Sequence, residues 1–554
     1  MPTDFYKAHQ DMLEQAVSAT VAREYWSPFS ENPSPRVYGE TANDEGRAAF
    51  DAYRNNEFAL DVDAAASLAA TEVSPFGIEL NVRYPRVSPP VLIERSEQAL
   101  DTWRQAGPRA WTGVSLEILS RLNKRSFEMA YAIQHTTGQG FMMAFQAGGP
   151  HAQDRGLEAV AYAWHEMSRI PSQVSWEKPQ GKQDPIKMQK KFTIVPRGVA
   201  LVIGCSTFPT WNSYPGLFAS LATGNTVIVK PHPAAVLPLA ITVKIAREVL
   251  AEAGFDPNVV QLAVHETGDD TAQALALDPA VKLIDFTGSS VNGDWLETHA
   301  RQAQVYTEKA GVNQVIIDSV DDFGSVARNL AFSFVLYSGQ MCTAPQNVYV
   351  PRDGIDTADG HLSFDEVAQA LADAVDKLTA DPARAVEITG AIQNEATLKR
   401  IDEARALGLP VLSDSRRLPH PQFAQAQVHT PLLLKAVAGN PVIFNEWFGP
   451  IVFVVETAST ADSIDLAEQS VIQHGALTLS AYTTRAAVAQ QVQSAAERAG
   501  VSVSLNLTGP VFVNQTAAFS DFHGTGANPA ANAALSDTAY VANRFRVVQT
   551  RWHA

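Results

Sequence analysis

Between residues 199 and 286 short apolar runs alternate with stretches of helical periodicity, and few folds accept a chain written that way. The runs 199–203, 226–229, 259–263 and 283–286 are almost wholly apolar, and helices are expected at 215–222, 237–253 and 271–276. Strands that are apolar on both faces and separated by helices pack as a parallel sheet covered on both sides, which takes ligands outside the carboxyl ends of its strands. A second cycle follows, with strands expected at 314–317, 347–350 and near Val411, Leu432 and Val442, and helices at 325–337, 364–378 and 397–406. The expected fold is α/β, with two sheet-centred units meeting near Glu308.

The flanks read differently. Residues 1–89 combine a helical opening at 5–25 with Pro- and Asn-rich turns and form an N-terminal extension in which no chemistry is visible. From 90 to 167, apolar residues such as Leu116, Leu119, Leu122, Phe127, Ala130 and Ile133 recur at helical spacing and predict a layer of helices. Residues 174–195 interrupt the first unit as a protruding hairpin, and 541–551 read as a terminal strand whose unpaired edge invites a partner chain. The expected layout is therefore 1–89, 90–307 with the hairpin inside it, 308–510, and a C-terminal segment 511–554 that completes the first unit, in a homodimer or a dimer of dimers.

Composition excludes several classes. With 42 Lys+Arg against 59 Asp+Glu, the net charge of −17 argues against nucleic acid or an anionic membrane as the main partner. Two cysteines in 554 residues are too few for a disulfide framework. The first residues show no basic region followed by an apolar stretch, and no apolar run approaches the ~18 residues of a membrane span. A cytoplasmic location is expected, without a membrane or a metal site.

Four segments carry candidate chemistry. Cys342, in Ser338-Gly-Gln-Met-Cys-Thr343, follows an apolar helix and sits at a break in the chain, where a thiolate near backbone N–H groups is a good nucleophile. Glu308, beside small residues at a strand edge, can activate water. Phe286-Thr-Gly-Ser-Ser-Val-Asn-Gly293 passes from strand to helix with Gly288 and Gly293 in the turn and Ser289 or Ser290 as the cap, a setting that receives a pyrophosphate. Lys230 ends a strand before Pro231-His-Pro233, which places its ammonium at the sheet edge where a ribose or phosphate would lie, with His232 able to meet a 2′-phosphate. Each segment alone also fits a bland reading: a structural thiol, a surface carboxylate, a capped turn, a solvated lysine.

Together and in this order they resemble the aldehyde dehydrogenase superfamily, from about Pro90 to the C-terminus. Leu221-Ala-Thr-Gly-Asn-Thr-Val-Ile-Val-Lys-Pro231 and Asn445-Glu-Trp-Phe-Gly-Pro450 carry the same likeness. The resemblance implies a Rossmann-type cofactor domain, an α/β catalytic domain and an oligomerisation hairpin. It implies Cys342 as nucleophile, Glu308 as general base, Lys230 and Ser289 at the cofactor, Glu446 at the nicotinamide ribose and Phe448 beside the nicotinamide. The reaction implied is oxidation of an aldehyde through a Cys342 thioester that Glu308-activated water hydrolyses.

Three positions depart from the family pattern. Its usual Asn-Phe-Pro reads Thr207-Phe208-Pro209, so either the Thr207 hydroxyl or the Asn212 amide would join the Cys342 N–H in stabilising the oxyanion. Ala310 stands where glycine is common. Pro233 stands where members preferring NAD tend to carry glutamate, so NADP should be accepted and slightly favoured over NAD. Cys205 is expected to pack.

The N-terminal Glu72-Val-Ser-Pro-Phe-Gly77 and the segment Cys205-Ser-Thr-Phe-Pro-Thr-Trp-Asn212 resemble the phenylacetate-degradation PaaN group, which implies the semialdehyde of a ring-opened aromatic coenzyme A thioester as substrate. Three rivals remain: a coenzyme A-acylating dehydrogenase, whose members generally lack the glutamate; a hydrolase using Cys342 without net redox; and a catalytically silent scaffold.

Overall fold

The computed structural model describes residues 4–63, 66–69, 72–309, 311–512, 522–535 and 537–554. A five-stranded sheet runs in the order Val260–Leu262, Thr226–Lys230, Val199–Ile203, Val281–Gly288, Gln304–Lys309, with every neighbouring pair parallel. Val199–Ile203 and Thr226–Lys230 are buried at each position, which is why their Val and Ile runs do not alternate with polar residues. Each such side chain removed from water contributes about 1.5–3 kcal/mol. Chain order reverses between Val199–Ile203 and Val281–Gly288, and a crevice opens at the carboxyl ends on either side of such a reversal. Register pairs Ile203 with both Lys230 and Phe286, and Thr287 with Glu308, so one edge of the sheet carries Lys230, Gly288 and Glu308 together.

The chain passes to the second sheet between Lys309 and Gln314, directly after Glu308. This sheet has seven strands in the order Val411–Ser413, Leu432–Val437, Ile451–Thr457, Asn347–Pro351, Gln314–Ile317, Thr478–Tyr482, Ser502–Leu505. Val411–Ser413 runs antiparallel to its neighbour; the other neighbouring pairs are parallel. The strand expected near Val442 is instead a short 3₁₀ turn, Pro441–Phe444, opened by proline and capped by the Asn440 side chain, which accepts from Val442 N–H. The strand lies one segment later, at Ile451–Thr457.

The layer of helices is Pro89–Lys124, Ser126–Thr137, Phe141–Gly148 and Pro150–Ser168, the first broken at Gly107 before Pro108. The single opening helix expected at 5–25 is split at His9 into Phe5–Ala8 and Gln10–Ala22, which pack on this layer. Glu72 ties the extension to the unit built on the five-stranded sheet. Its carboxylate accepts from Val236 N–H (2.5 Å), Leu237 N–H (2.8 Å) and Tyr84 O–H (2.7 Å), at the start of the helix Leu237–Glu252. Burial raises this carboxyl to about 7 against those three donors.

Gln173–Gln180 and Gln183–Pro196 form the expected hairpin, largely exposed. The terminal strand Phe545–His553 pairs antiparallel on one side with Gln183–Pro196, from Phe545 opposite Pro196 to His553 opposite Met188, and is an edge strand of the three-stranded sheet so formed. Arg544, fully buried, anchors that strand's start through Asp285, at 2.6 and 2.8 Å. Removing either partner leaves an uncompensated buried charge, at a cost of about 3–5 kcal/mol. Among the described residues no helix is long and apolar enough to cross a membrane.

Candidate active site

The helix Phe323–Val335 ends in a turn that the backbone resists. Tyr337 (φ 52°), Ser338 (φ 50°) and Gly339 (φ 62°) are consecutively left-handed, a conformation costing on the order of 1–3 kcal/mol for each non-glycine residue. Side chains offset it: Tyr337 O–H donates to Thr137 O (2.6 Å) and Ser338 O–H to Thr389 O (3.1 Å). A Cβ on Gly339 would fall 2.3 Å from Gly449 O, so the close approach as well as the φ demands glycine. The bend delivers Cys342 to the edge of the first sheet. Asn313 fixes it there, donating to Cys342 O (2.7 Å) and Ala344 O (3.1 Å) while accepting from Leu477 and Thr478 N–H.

Three reactive groups meet at this point. Glu308, 1% exposed, accepts at Oε1 from Asn212 Nδ2 (3.1 Å) and lies 3.0 Å from His523 Nε2, which is 3.9 Å from Cys342 Sγ. Cys342 Sγ, His523 Nε2 and a Glu308 carboxylate oxygen all lie within 4.8 Å of one another. Burial and the Glu308 charge push the Cys342 thiol well above its ordinary value, so it rests protonated. Burial alone would raise Glu308 too, but His523, Arg155 and the thiol together hold it below the usual carboxylate range. Its other oxygen, Oε2, is buried without a hydrogen-bond partner among the described residues.

Cys342, Asn212 and Phe208 are shared by two cavities. One, of about 350 Å³, lies at the carboxyl edge of the five-stranded sheet and is lined by Lys230, His232, Gly288, Ser289, Glu446 and Phe448. Lys230 is 5% exposed and its ammonium has no ion pair or hydrogen bond among the described residues; burial lowers it to about 8, with Asp269 offsetting part of that. Burial also lowers His232 to about 4, and its Nδ1 accepts from Ala234 N–H, leaving Nε2 to carry the proton. Ser289 caps the helix Ser290–His299 through Asn292 N–H (3.4 Å). A buried cation without a counter-ion beside an open helix N-terminus fits a phosphate-bearing ligand.

The other cavity, of about 480 Å³, is apolar within, lined by Met143, Phe208, Trp211, Phe332, Leu336 and Met341. Its mouth carries Tyr25, Glu31, His151 and Glu387, and His151 Nε2 meets Glu31 Oε2 at 2.7 Å. The N-terminal extension, in which no chemistry was expected, thus supplies Tyr25 and Glu31 to the wall.

Two expected residues are placed elsewhere. Thr207 lines the first cavity, but its hydroxyl donates to Cys205 Sγ (4.0 Å); of the two candidates it is Asn212 whose amide reaches the reacting groups. Gly293 is buried under Lys309, whose stem would lie 2.6 Å from an added Cβ, so its glycine serves packing rather than a ligand. Cys205 donates to Asn212 Oδ1 (3.5 Å), and burial raises its thiol to about 11. Ala310 lies outside the described residues. His523 and Asn313 escape a reading of the sequence, since neither belongs to a periodic run or a motif.

Residues 91–529 match the aldehyde dehydrogenase family. The structure is similar to the crystal structure of an NAD-dependent aldehyde dehydrogenase from Burkholderia multivorans, with 63% identity and a TM-score of 0.98 over 100% of both chains. The FUS7 protein of Gibberella fujikuroi is 30% identical over 316 residues, 56% of this chain; the match spans 62% of FUS7, less than two thirds of its length. An N-succinylglutamate 5-semialdehyde dehydrogenase of Burkholderia cenocepacia is 26% identical over 388 residues, 68% of this chain and 73% of that one.

Proposed function

Because the chain belongs to the aldehyde dehydrogenase family, we propose that it oxidises an aldehyde to a carboxylic acid with NAD(P), through a thioester on Cys342. One observation carries this reading: Cys342 is where a polar cleft and an apolar cavity meet, beside a buried carboxylate. The aldehyde enters through the apolar cavity. The Cys342 thiol gives up its proton to water, and the sulfur bonds to the carbonyl carbon while the carbonyl electron pair moves onto oxygen. Asn212 has two N–H groups; one is donated to Glu308, and the other supports the developing oxyanion together with the Cys342 N–H. A nicotinamide dinucleotide held in the polar cleft would supply the acceptor for the hydride that leaves that carbon. Lys230 and His232 would hold the adenosine end, the Gly288–Ser289 turn the pyrophosphate, and Glu446 and Phe448 the nicotinamide end. Glu308 Oε2, which has no partner among the described residues, then accepts the proton of the water that hydrolyses the thioester.

The lining of the cavity favours a neutral, apolar acyl group over the coenzyme A-linked semialdehyde of phenylacetate-type catabolism that the resemblance to PaaN implies. Among the described residues no lysine or arginine lines it, and its mouth carries two glutamates where an anionic substrate would pass. The test is a panel of aldehydes assayed with NAD and NADP by the absorbance of reduced nicotinamide. Aromatic and medium-chain aldehydes should be oxidised to the acid without coenzyme A. No reduced cofactor with any aldehyde, or turnover only with coenzyme A present, overturns the reading.

NADP should be accepted alongside NAD, because no carboxylate stands at Pro233 to repel a 2′-phosphate. Pro233→Glu is expected to lower kcat/KM for NADP relative to NAD by about tenfold, an unfavourable charge contact of roughly 1.4 kcal/mol; an unaltered ratio removes this account of the loop. The exposed three-stranded sheet, with Val547, Val548 and Trp552 outward, is the proposed contact between subunits of a dimer or dimer of dimers.

A further inference from the structure

His523 belongs to Phe522-His-Gly-Thr-Gly-Ala-Asn-Pro529, an irregular stretch near the C-terminus, yet it is 2% exposed and sits against the reacting groups. Two anchors put it there. On one side the chain pairs with the edge of Gln304–Lys309: Lys309 N–H donates to Ala530 O (2.6 Å) and Asn532 N–H to Thr307 O (3.1 Å). On the other side the Arg23 guanidinium of the N-terminal extension lies 3.7 Å over the Phe522 ring. The imidazole packs edge-on against Trp211, with ring centroids 4.5 Å apart, and Arg155 stacks on the same indole at 4.6 Å. Because the Glu308 carboxylate accepts at Nε2, the proton of the ring belongs on that nitrogen.

We propose that His523 is a positioning residue that, with Asn212, holds Glu308 as an oriented carboxylate beside Cys342, and that the two ends of the chain are folded together to place it. This rests on the reading of Glu308 as the base that hydrolyses the Cys342 thioester. Both N–H donors converge on Oε1, which leaves Oε2 without a partner among the described residues on a side chain that lines the polar cavity. A carboxyl this deeply buried would otherwise be protonated near neutral pH and useless as a base. Among the described residues, the charged and titratable groups facing the imidazole are Glu308, Cys342 and, across Trp211, Arg155; Cys205 lies beyond Asn212.

The test needs no cofactor and no aldehyde. An activated phenyl ester acylates Cys342 directly, and the hydrolysis rate of that acyl-enzyme is followed against pH. Wild-type hydrolysis should be lost only as pH falls through the depressed Glu308 value. His523→Phe keeps a ring against Trp211 but removes the donor, so the acid limb should move up by about one to two pH units, the worth of one hydrogen bond to a charged group. His523→Ala should give the same displacement without adding bulk, and His523→Gln, which retains an N–H, should stay near the wild-type limb. With Glu308→Gln already in place, His523→Phe should slow hydrolysis no further. An unmoved limb in both donor-less variants, a Gln variant that behaves like Phe, or additional slowing in the Glu308→Gln background overturns the proposal. An enzyme that shows these ester kinetics but oxidises no aldehyde would sink the proposed redox function and leave the role of His523 standing.

Discussion

Cys342→Ala is expected to abolish aldehyde oxidation, with a fall in kcat of roughly 10⁴-fold or more, as follows when the nucleophile of a covalent mechanism is removed. The size of the effect rests on position. The sulfur lies where the two cavities join, and a nucleophile placed on another element could not face both the acyl cavity and the nicotinamide end of the cleft. Cys205, the second thiol, lines the polar cleft but not the apolar cavity and donates to Asn212, so it offers no substitute. The variant should keep its fold, because the left-handed turn that presents residue 342 is held by Tyr337, Ser338 and Gly339, and Asn313 grips the backbone carbonyl rather than the side chain. Cofactor binding, followed by quenching of tryptophan fluorescence, should therefore survive while reduced nicotinamide no longer forms. Aldehyde oxidation persisting in the variant would remove the nucleophile assignment.

What could be read without coordinates divides along physical lines. Four of the five strands of the first sheet were legible because they are apolar runs separated by helices, and Lys230, Gly288 and Ser289 came with them, since they lie at or just past the carboxyl ends of those strands; Gln304–Lys309, which carries Glu308, was not among the expected strands. The second sheet was harder. Ile451–Thr457 is a short, mostly apolar run, which periodicity alone does not separate from a piece of buried helix, Thr478–Tyr482 mixes polar and apolar residues, and the strand expected near Val442 falls on a turn.

The choice between Thr207 and Asn212 depends on how the helix Pro209–Ala222 is set on the sheet. That helix turns Asn212 toward Glu308, while the Thr207 hydroxyl faces Cys205. His523 lay beyond reach altogether. It meets Cys342 across 181 residues of chain, through a loop whose path is fixed by pairing with Gln304–Lys309 and by a cation–ring contact from the N-terminal extension. Such a contact leaves no local pattern, and the same holds for Tyr25 and Glu31 at the cavity mouth.

Glu308→Gln should separate the two halves of the reaction. Glutamine fills the same space, and its carbonyl oxygen can still accept from Asn212 and His523, so the site should stay assembled. Loss of the carboxylate also removes a charge that raises the Cys342 thiol, so the thiolate still forms and the first turnover proceeds. Hydrolysis does not, because Oε2 is the acceptor for the attacking water and an amide nitrogen in its place has no basic lone pair. Rapid mixing with aldehyde and cofactor is therefore expected to give a burst approaching one reduced nicotinamide per subunit, followed by a steady state slower than wild type by about 10²–10⁴-fold. Mass spectrometry of the stalled protein should find the acyl group on Cys342. The wild-type carboxyl is held below its ordinary value, so its contribution to hydrolysis is present above that value and fades as pH falls through it, whereas the glutamine variant should lack this acid limb. Unchanged steady-state turnover, or loss of the burst together with the steady state, would assign the water-activating step to another group.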